Sequence, residues 1–145
     1  MQTFLTDSNF QNTAITLDYR RLGKQRVEAW QILRALTGET KGWVNHPATK
    51  MWRGYEFLLC QYGITMCVEW ESRGYKDTML NRFAEMANQF DLCDNPWWLD
   101  FQPLITSHRS NLYRKDPIYY QEFAYIGGDL PYVWCEPDGT WKVGK

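Results

Sequence analysis

The carboxylate of Glu28 lies among cationic side chains near the start of the sequence. The segment 17–34 places around it Arg20, Arg21, Lys24, Arg26 and Arg34. At 3.6 residues per turn, Arg21, Lys24 and Glu28 share one helix face, while an apolar stripe that must be buried occupies another. A carboxylate in such surroundings can transfer protons, so the pattern indicates a site. The simpler interpretation is a solvated face on which Glu28 pairs with Lys24 or Arg21, worth a few tenths of a kcal/mol.

The elements that would position these groups are mostly helical. Periodicity and capping residues predict helices over about 18–37, 48–73, 78–89 and 103–113, and a short one over 116–123. The tail 132–143 predicts two short strands around the Pro-Asp-Gly turn at 137–139. The segment preceding the first helix is expected to be short and extended. The sequence therefore predicts a mostly α fold, a single compact helical domain over 1–145 with a short C-terminal β-hairpin.

Composition limits the class of protein. The chain has 145 residues, 44% of them hydrophobic, and no apolar run of membrane-spanning length. Its N-terminus lacks the basic and apolar blocks of a signal peptide, so we expect a cytoplasmic protein without a membrane partner. The spacing of Cys60 and Cys67 suits small core residues on one helix face, and we expect neither a structural metal nor a cofactor.

The charge is unevenly distributed. The formal net charge of −1 is a poor match to a strong nonspecific DNA binder, which is normally basic. However, the early basic cluster is matched by a late one of Arg109, Arg114 and Lys115, and both can face one groove. Aromatic residues make up 17% of the chain. Most are expected in the core, and the remainder can stack on bases.

Several motifs together resemble a known family, the pyrimidine-dimer DNA glycosylases of the endonuclease V type. They are Leu17-Asp18 opening a helix, a helical glutamate ten residues after that aspartate, the turn at 38–42, the helix start at 45–47, and the blocks 73–78 and 107–117. The resemblance extends to about Pro137. It is strongest to a bacterial and phage branch whose members are named by homology.

This resemblance implies a chemistry. In the family an N-terminal α-amine attacks the deoxyribose C1′ to form an imine, and a helical glutamate promotes the sugar chemistry. Glu28 takes the place of that glutamate. An α-amino group has a pKa near 8 and is partly neutral at physiological pH, which suits a nucleophile better than an ordinary lysine.

The second residue departs from the family pattern. The family's phage enzyme loses its initiator methionine to expose a small residue, whereas the bulk of Gln2 should keep Met1 in place. Three alternatives follow, in decreasing order of preference. The Met1 amine is the nucleophile, Lys24 replaces it, or the lyase chemistry is absent.

Eight further residues are candidates for substrate binding: Arg21, Lys24, Arg26, Asn45, His46, His108, Arg109 and Lys115. The helix start at 45–47 leaves two roles open for its first two residues. Asn45 can cap the helix or orient Glu28 or a phosphate, and His46 can cap or pack as readily as bind. For His108, structural hydrogen bonding is favoured over catalysis.

The sequence therefore predicts a DNA glycosylase, with or without AP-lyase activity, that acts on a damaged or modified pyrimidine in duplex DNA. One alternative is a noncatalytic protein that binds a nucleotide or modified base, which the near-neutral charge and the retained Met1 favour. Another is a hydrolase of the N-glycosidic bond in a free nucleotide. The lesion and the oligomeric state are left open.

Overall fold

A computed structural model describes residues 1–144 of the chain, which form α-helices, two short 3₁₀ turns and one β-hairpin. The helices are α1 Phe10–Thr16, α2 Tyr19–Leu36, α3 Pro47–Trp52, α4 Glu56–Ser72, α5 Leu80–Ala87 and α6 Gln102–Lys115. The 3₁₀ turns are Trp97–Asp100 and Gln121–Phe123, and the strands are β1 Tyr132–Cys135 and β2 Trp141–Gly144. The prediction of a mostly α fold with a C-terminal hairpin is confirmed.

Helices α2 and α4 form the centre of the packing. The apolar stripe of α2, including Leu22, Ala29 and Leu33, is fully buried. Gly63 of α4 allows a close approach by α5, because a Cβ there would lie 2.4 Å from the ring of Phe83. The close approach of the Phe83 ring therefore accounts for a glycine at position 63. Because the apolar stripe of α2 is buried, the face that carries Glu28 is the one available for a site.

The predicted single helix over 48–73 is wrong, since the chain breaks between α3 and α4. Arg53 is extended at the end of α3, and Gly54 follows with a φ of 91°. That left-handed conformation favours glycine and cannot continue a right-handed helix. Gly74, with a φ of 92°, ends α4 as predicted. The start of α3 is also as predicted, with Pro47 in its first turn.

Helix α1 is missing from the prediction, which had only an extended segment before residue 18. Asn9 caps this helix by accepting the backbone N–H of Asn12 through its side chain, at 3.0 Å. The predicted helix over 116–123 is likewise wrong: only the 3₁₀ turn Gln121–Phe123 forms there. Both segments are short, and periodicity is a weak guide over one or two turns.

The first six residues run through the interior without pairing to a strand. Gln2 to Thr6 are all buried. Side chains bind their backbone N–H groups instead: Glu28 Oε2 accepts from Gln2 at 3.4 Å, Gln25 Oε1 from Phe4 at 2.9 Å, and His108 Nδ1 from Leu5 at 2.8 Å. Because an unpaired buried amide is costly, these bonds hold the segment in one position. They direct Met1 toward α2.

The hairpin covers one side of the helices. Its strands are antiparallel, with Tyr132 opposite Gly144 and Trp134 opposite Lys142. Val133, Trp134 and Cys135 are buried, whereas most of β2 is exposed. Among residues 1–144, no helix combines the length and the apolar composition needed to cross a bilayer.

Candidate active site

A cleft of about 520 Å³ opens where the N-terminal segment, α2, α6 and the hairpin meet. Six of the predicted site residues line it: Met1, Arg21, Lys24, Glu28, His46 and Lys115. They come from elements far apart in the sequence. Its volume lies within the range typical of small-molecule and cofactor sites. The helical spacing that grouped Arg21, Lys24 and Glu28 on one face therefore corresponds to one wall of a real cavity.

Glu28 is oriented by neutral donors. Its Oε2 atom accepts the Gln2 N–H at 3.4 Å and the side-chain amide of Gln25 at 3.0 Å. Gln25 is buried, and its own carbonyl oxygen accepts the Tyr62 hydroxyl at 2.6 Å. Within residues 1–144, Glu28 forms no salt bridge, so the pairing with Lys24 or Arg21 is not formed. The carboxylate is thus fixed in place with its charge directed to the cleft.

The α-amine of Met1 belongs to the same cleft. Met1 lines the cavity, and the amide of the next residue is bonded to Glu28. The terminal ammonium also acts on His46: burial lowers the pKa of that imidazole, and the positive charge of the chain terminus lowers it further. The charge of the chain terminus therefore acts on His46, and Met1, His46 and Glu28 line the same cleft.

His46 both caps a helix and lines the cleft. Its Nδ1 atom accepts the backbone N–H of Ala48 at 3.0 Å, which leaves the proton of the neutral ring on Nε2. The ring is held by edge contacts with Trp43 and Trp134, at centroid distances of 5.5 and 5.8 Å. The possible cap at Asn45 is not formed, since the N-cap residue is His46. Asn45 instead lines a neighbouring pocket of about 230 Å³.

The rim of the cleft is cationic. Arg20, Arg21, Lys24 and Lys115 line it. Asp18 holds Arg21 through a salt bridge of 3.2 Å. Burial, aided by the positive charges of Arg21, Arg114 and Lys24, lowers the pKa of Lys115. This concentration of positive charge around one carboxylate is suited to a polyanionic ligand.

The family model for pyrimidine dimer DNA glycosylases matches residues 1–82. The chain belongs to this family. The matched range contains Met1, Glu28 and His46 and more than half of the sequence. No curated protein and no solved structure matches the chain. Family membership supports DNA glycosylase activity in general, with DNA as the substrate.

Residues beyond the matched range complete the cleft of this glycosylase-family protein. Lys115, Tyr132 and Trp134 all come from the last third of the chain. No local sequence pattern distinguishes Tyr132 or Trp134, because their positions depend on how the hairpin packs. Arg20 and Gln25 were also not among the predicted site residues. Gln25 could have been predicted from the sequence, since it lies three residues before Glu28 on the same face of the helix.

Four predicted binding residues do not line this cleft: Arg26, Asn45, His108 and Arg109. Arg26 forms a salt bridge with the buried Asp77 and lies 4.4 Å from the centre of the Trp70 ring. Arg109 donates from Nε to the Thr6 carbonyl oxygen at 2.9 Å and packs on Phe123. These two arginines hold the fold together. Arg26 precedes Glu28 by two positions, which turns their side chains to different faces of α2.

Replacing Arg26 by Ala is expected to reduce the free energy of unfolding by about 3 kcal/mol, because it leaves the Asp77 carboxylate buried and unpaired. Denaturant unfolding measures this change. The matched control is Arg34→Ala on the same helix, whose partner Glu39 is exposed, and there we expect less than about 1 kcal/mol. Equal effects of the two variants would contradict the structural role of Arg26.

His108 is fully buried between the N-terminal segment and the hairpin. Burial lowers its pKa to about 3, so the ring stays neutral and accepts the Leu5 N–H. An unfolded histidine has a pKa near 6.5, so the unfolded chain binds a proton in the interval where the folded chain does not. The stabilisation that the buried neutral His108 ring contributes to the folded state is fully present above pH 6.5. It is lost as the pH falls from 6.5 toward 3, because protonation of the histidine then favours the unfolded chain.

A His108→Gln variant, whose amide oxygen can still accept the Leu5 N–H, is therefore expected to lose less stability than the wild type between pH 7 and pH 4.5. Thermal unfolding across this interval measures the difference. Parallel pH profiles for the two proteins would show that His108 is not the titrating group.

Proposed function

We propose that this protein is a DNA glycosylase with AP-lyase activity that acts on a damaged or modified pyrimidine, with the Met1 α-amine as nucleophile and Glu28 as the acid–base group. One observation carries the proposal. The chain terminus enters the cleft beside Glu28, whose carboxylate accepts the N–H of the second residue at 3.4 Å. The amine that begins the chain is one residue away from that bond.

The reaction uses these groups in sequence. The neutral amine forms a bond to C1′, and the bond from C1′ to the base nitrogen breaks with its electron pair leaving on the base, which takes up a proton. The Glu28 carboxylate stabilises the positive charge that develops on the sugar. It then accepts a proton from the attached amine and passes it to O4′ as the C1′–O4′ bond breaks, which opens the ring to a protonated imine. Water takes a C2′ proton from this iminium, and the electron pair of that C–H bond forms the C2′–C3′ double bond as the C3′–O bond breaks and the 3′ phosphate leaves.

The cationic rim gives the cleft affinity for the phosphates that flank the damaged nucleotide. Lys24 is exposed on α2 one turn from Glu28 and is available for such a contact. Lys24→Ala is expected to weaken binding to duplex DNA of any sequence and to reduce the slope of log affinity against log salt by about 0.9. Fluorescence anisotropy titrations at several salt concentrations measure the slope. Lys41→Ala, which removes a lysine outside the cleft, should leave the slope unchanged.

Borohydride trapping tests the proposal directly. The protein is mixed with duplex oligonucleotides that carry either a thymine dimer or an abasic site, reduced, and digested to map the attached residue. We expect a covalent complex with DNA attached at Met1. Attachment at Lys24 would overturn the role of Met1 but keep the imine chemistry. If neither substrate gave a trapped complex, the proposed AP-lyase activity would be overturned.

The net charge of −1 supports a second candidate, a protein that binds a nucleotide or modified base without DNA or that hydrolyses the glycosidic bond of a free nucleotide. The cleft volume of about 520 Å³ suits a ligand of nucleotide size. Such a protein would bind a nucleotide tightly and duplex DNA negligibly even at low salt. The titrations described above distinguish the two candidates.

A further inference from the structure

Tyr132 contributes a second wall to the cleft from outside the matched part of the chain. It begins β1 and is partly buried. Its ring packs edge-on against His108, with centroids 6.0 Å apart, and lies tilted against Trp134 at 5.6 Å. Two neighbouring rings therefore limit its movement, and the direction of its hydroxyl is fixed by packing.

The hydroxyl of Tyr132 has no hydrogen-bond partner among residues 1–144. The hydroxyls of the buried tyrosines do have partners: that of Tyr62 donates to the side-chain oxygen of Gln25 and that of Tyr120 donates to Asp18. The Tyr132 oxygen also differs from the solvent-inaccessible side-chain atoms that lack a partner, such as His108 Nε2, because it is accessible. An oriented hydroxyl that is accessible from the cleft and unused by the protein is available to a ligand.

Burial keeps Tyr132 a hydrogen-bond donor on the wall of the cleft. Burial raises the pKa of its phenol, and the charges of Arg114, Glu28 and Arg21 also act on it. A phenol with a raised pKa keeps its proton at neutral pH. Tyr132 and Glu28 both line the cleft, so the phenol shares one cavity with the groups that act on the sugar.

We propose that the Tyr132 hydroxyl donates a hydrogen bond to the departing pyrimidine, at the carbonyl oxygen next to the glycosidic nitrogen. The assignment rests on the proposed function. When the bond from C1′ to the base nitrogen breaks, its electron pair is shared between that nitrogen and the neighbouring oxygen, and the base then takes a proton from water. Tyr132 keeps its own proton and stabilises the charge while it develops.

The base differs in charge from the phosphates and the sugar, and a neutral hydroxyl is matched to it. The rim cations are matched to phosphates, which carry full negative charges. Glu28 and the Met1 amine act on the sugar. A neutral O–H donor is matched to the partial charge of a base carbonyl. The Tyr132 hydroxyl, fixed in direction by two packed rings, is thus suited to the leaving group.

The test compares Tyr132→Phe with the wild type on two duplex oligonucleotides, one with a thymine dimer and one with a preformed abasic site. The variant keeps the ring and its packing. We expect glycosidic cleavage at the dimer to slow by at least about 10-fold, because a donor to the leaving group is lost. Strand cleavage at the abasic site, where no base remains, should stay within about twofold of the wild type.

The control is Tyr55→Phe, another partly buried tyrosine, which does not line the cleft. It should cleave both substrates like the wild type. Unchanged glycosidic cleavage by Tyr132→Phe would overturn the assignment, and so would an equal loss on both substrates, which indicates a structural effect. A wild-type protein inactive on both substrates would instead overturn the proposed function, and the Tyr132 assignment with it.

Discussion

Glu28→Gln is expected to lower turnover on damaged DNA by about 10² to 10⁴-fold, the range over which a single acid–base group contributes. The substitution preserves shape, and the new amide oxygen can still accept the Gln2 N–H and the Gln25 amide. Only the charge and the ability to exchange a proton are lost. Folding and DNA affinity should therefore remain close to those of the wild type. Single-turnover kinetics, DNA titration and thermal unfolding on the same preparation measure the three quantities.

Glu39→Gln provides the matched control for this variant. Glu39 is an exposed carboxylate just beyond α2, paired with Arg34 at 3.4 Å. The Glu39→Gln variant should retain the full turnover of the wild type. If Glu28→Gln were as active as the control, Glu28 would not be the acid–base group. If it unfolded, the bonds of Glu28 to the N-terminal segment would be its main role.

Blocking the α-amine is expected to abolish borohydride trapping altogether. Acetylation delocalises the nitrogen lone pair into the amide, so the atom can no longer attack C1′. One added residue moves the amine by up to about 3.6 Å, because the bonds to Gln2, Phe4 and Leu5 hold the rest of the segment. DNA affinity should change little in either case. Trapping assays and titrations on the acetylated and extended proteins measure both effects.

The control for the blocked proteins is Lys24→Arg with a free terminus, which removes the alternative amine and keeps the charge. It should trap DNA like the wild type. Mass spectrometry should also find Met1 retained. If trapping persists after the terminus is blocked and disappears in Lys24→Arg, Lys24 is the nucleophile.

Helical periodicity predicted the part of the site that lies on one element. Arg21, Lys24 and Glu28 share a face of α2, and the structure brings that face to the cleft. The same reasoning did not exclude Arg26, because its partner Asp77 is 51 residues away in the sequence. Local patterns specify helix faces well, whereas the partner of a charged side chain depends on tertiary packing.

The remaining errors have the same origin. Gly54 ends a continuous apolar pattern at 48–73 by adopting a left-handed conformation, although Gly63 in the same pattern stays helical. Nothing within either glycine's immediate sequence distinguishes the two. Tyr132 enters the cleft because the hairpin folds onto α6, which the strand pattern alone does not specify.

The arrangement of the first residues also determines when the cleft can form. The bond between Leu5 and His108 joins positions 103 residues apart. During synthesis on the ribosome, the Leu5 N–H therefore cannot bond to His108 until α6 has been made. Closing so long a loop costs entropy that only the finished packing offsets. The first residues synthesised are therefore fully ordered only once α6 is present, so we expect truncated nascent chains to lack a positioned Met1 α-amine.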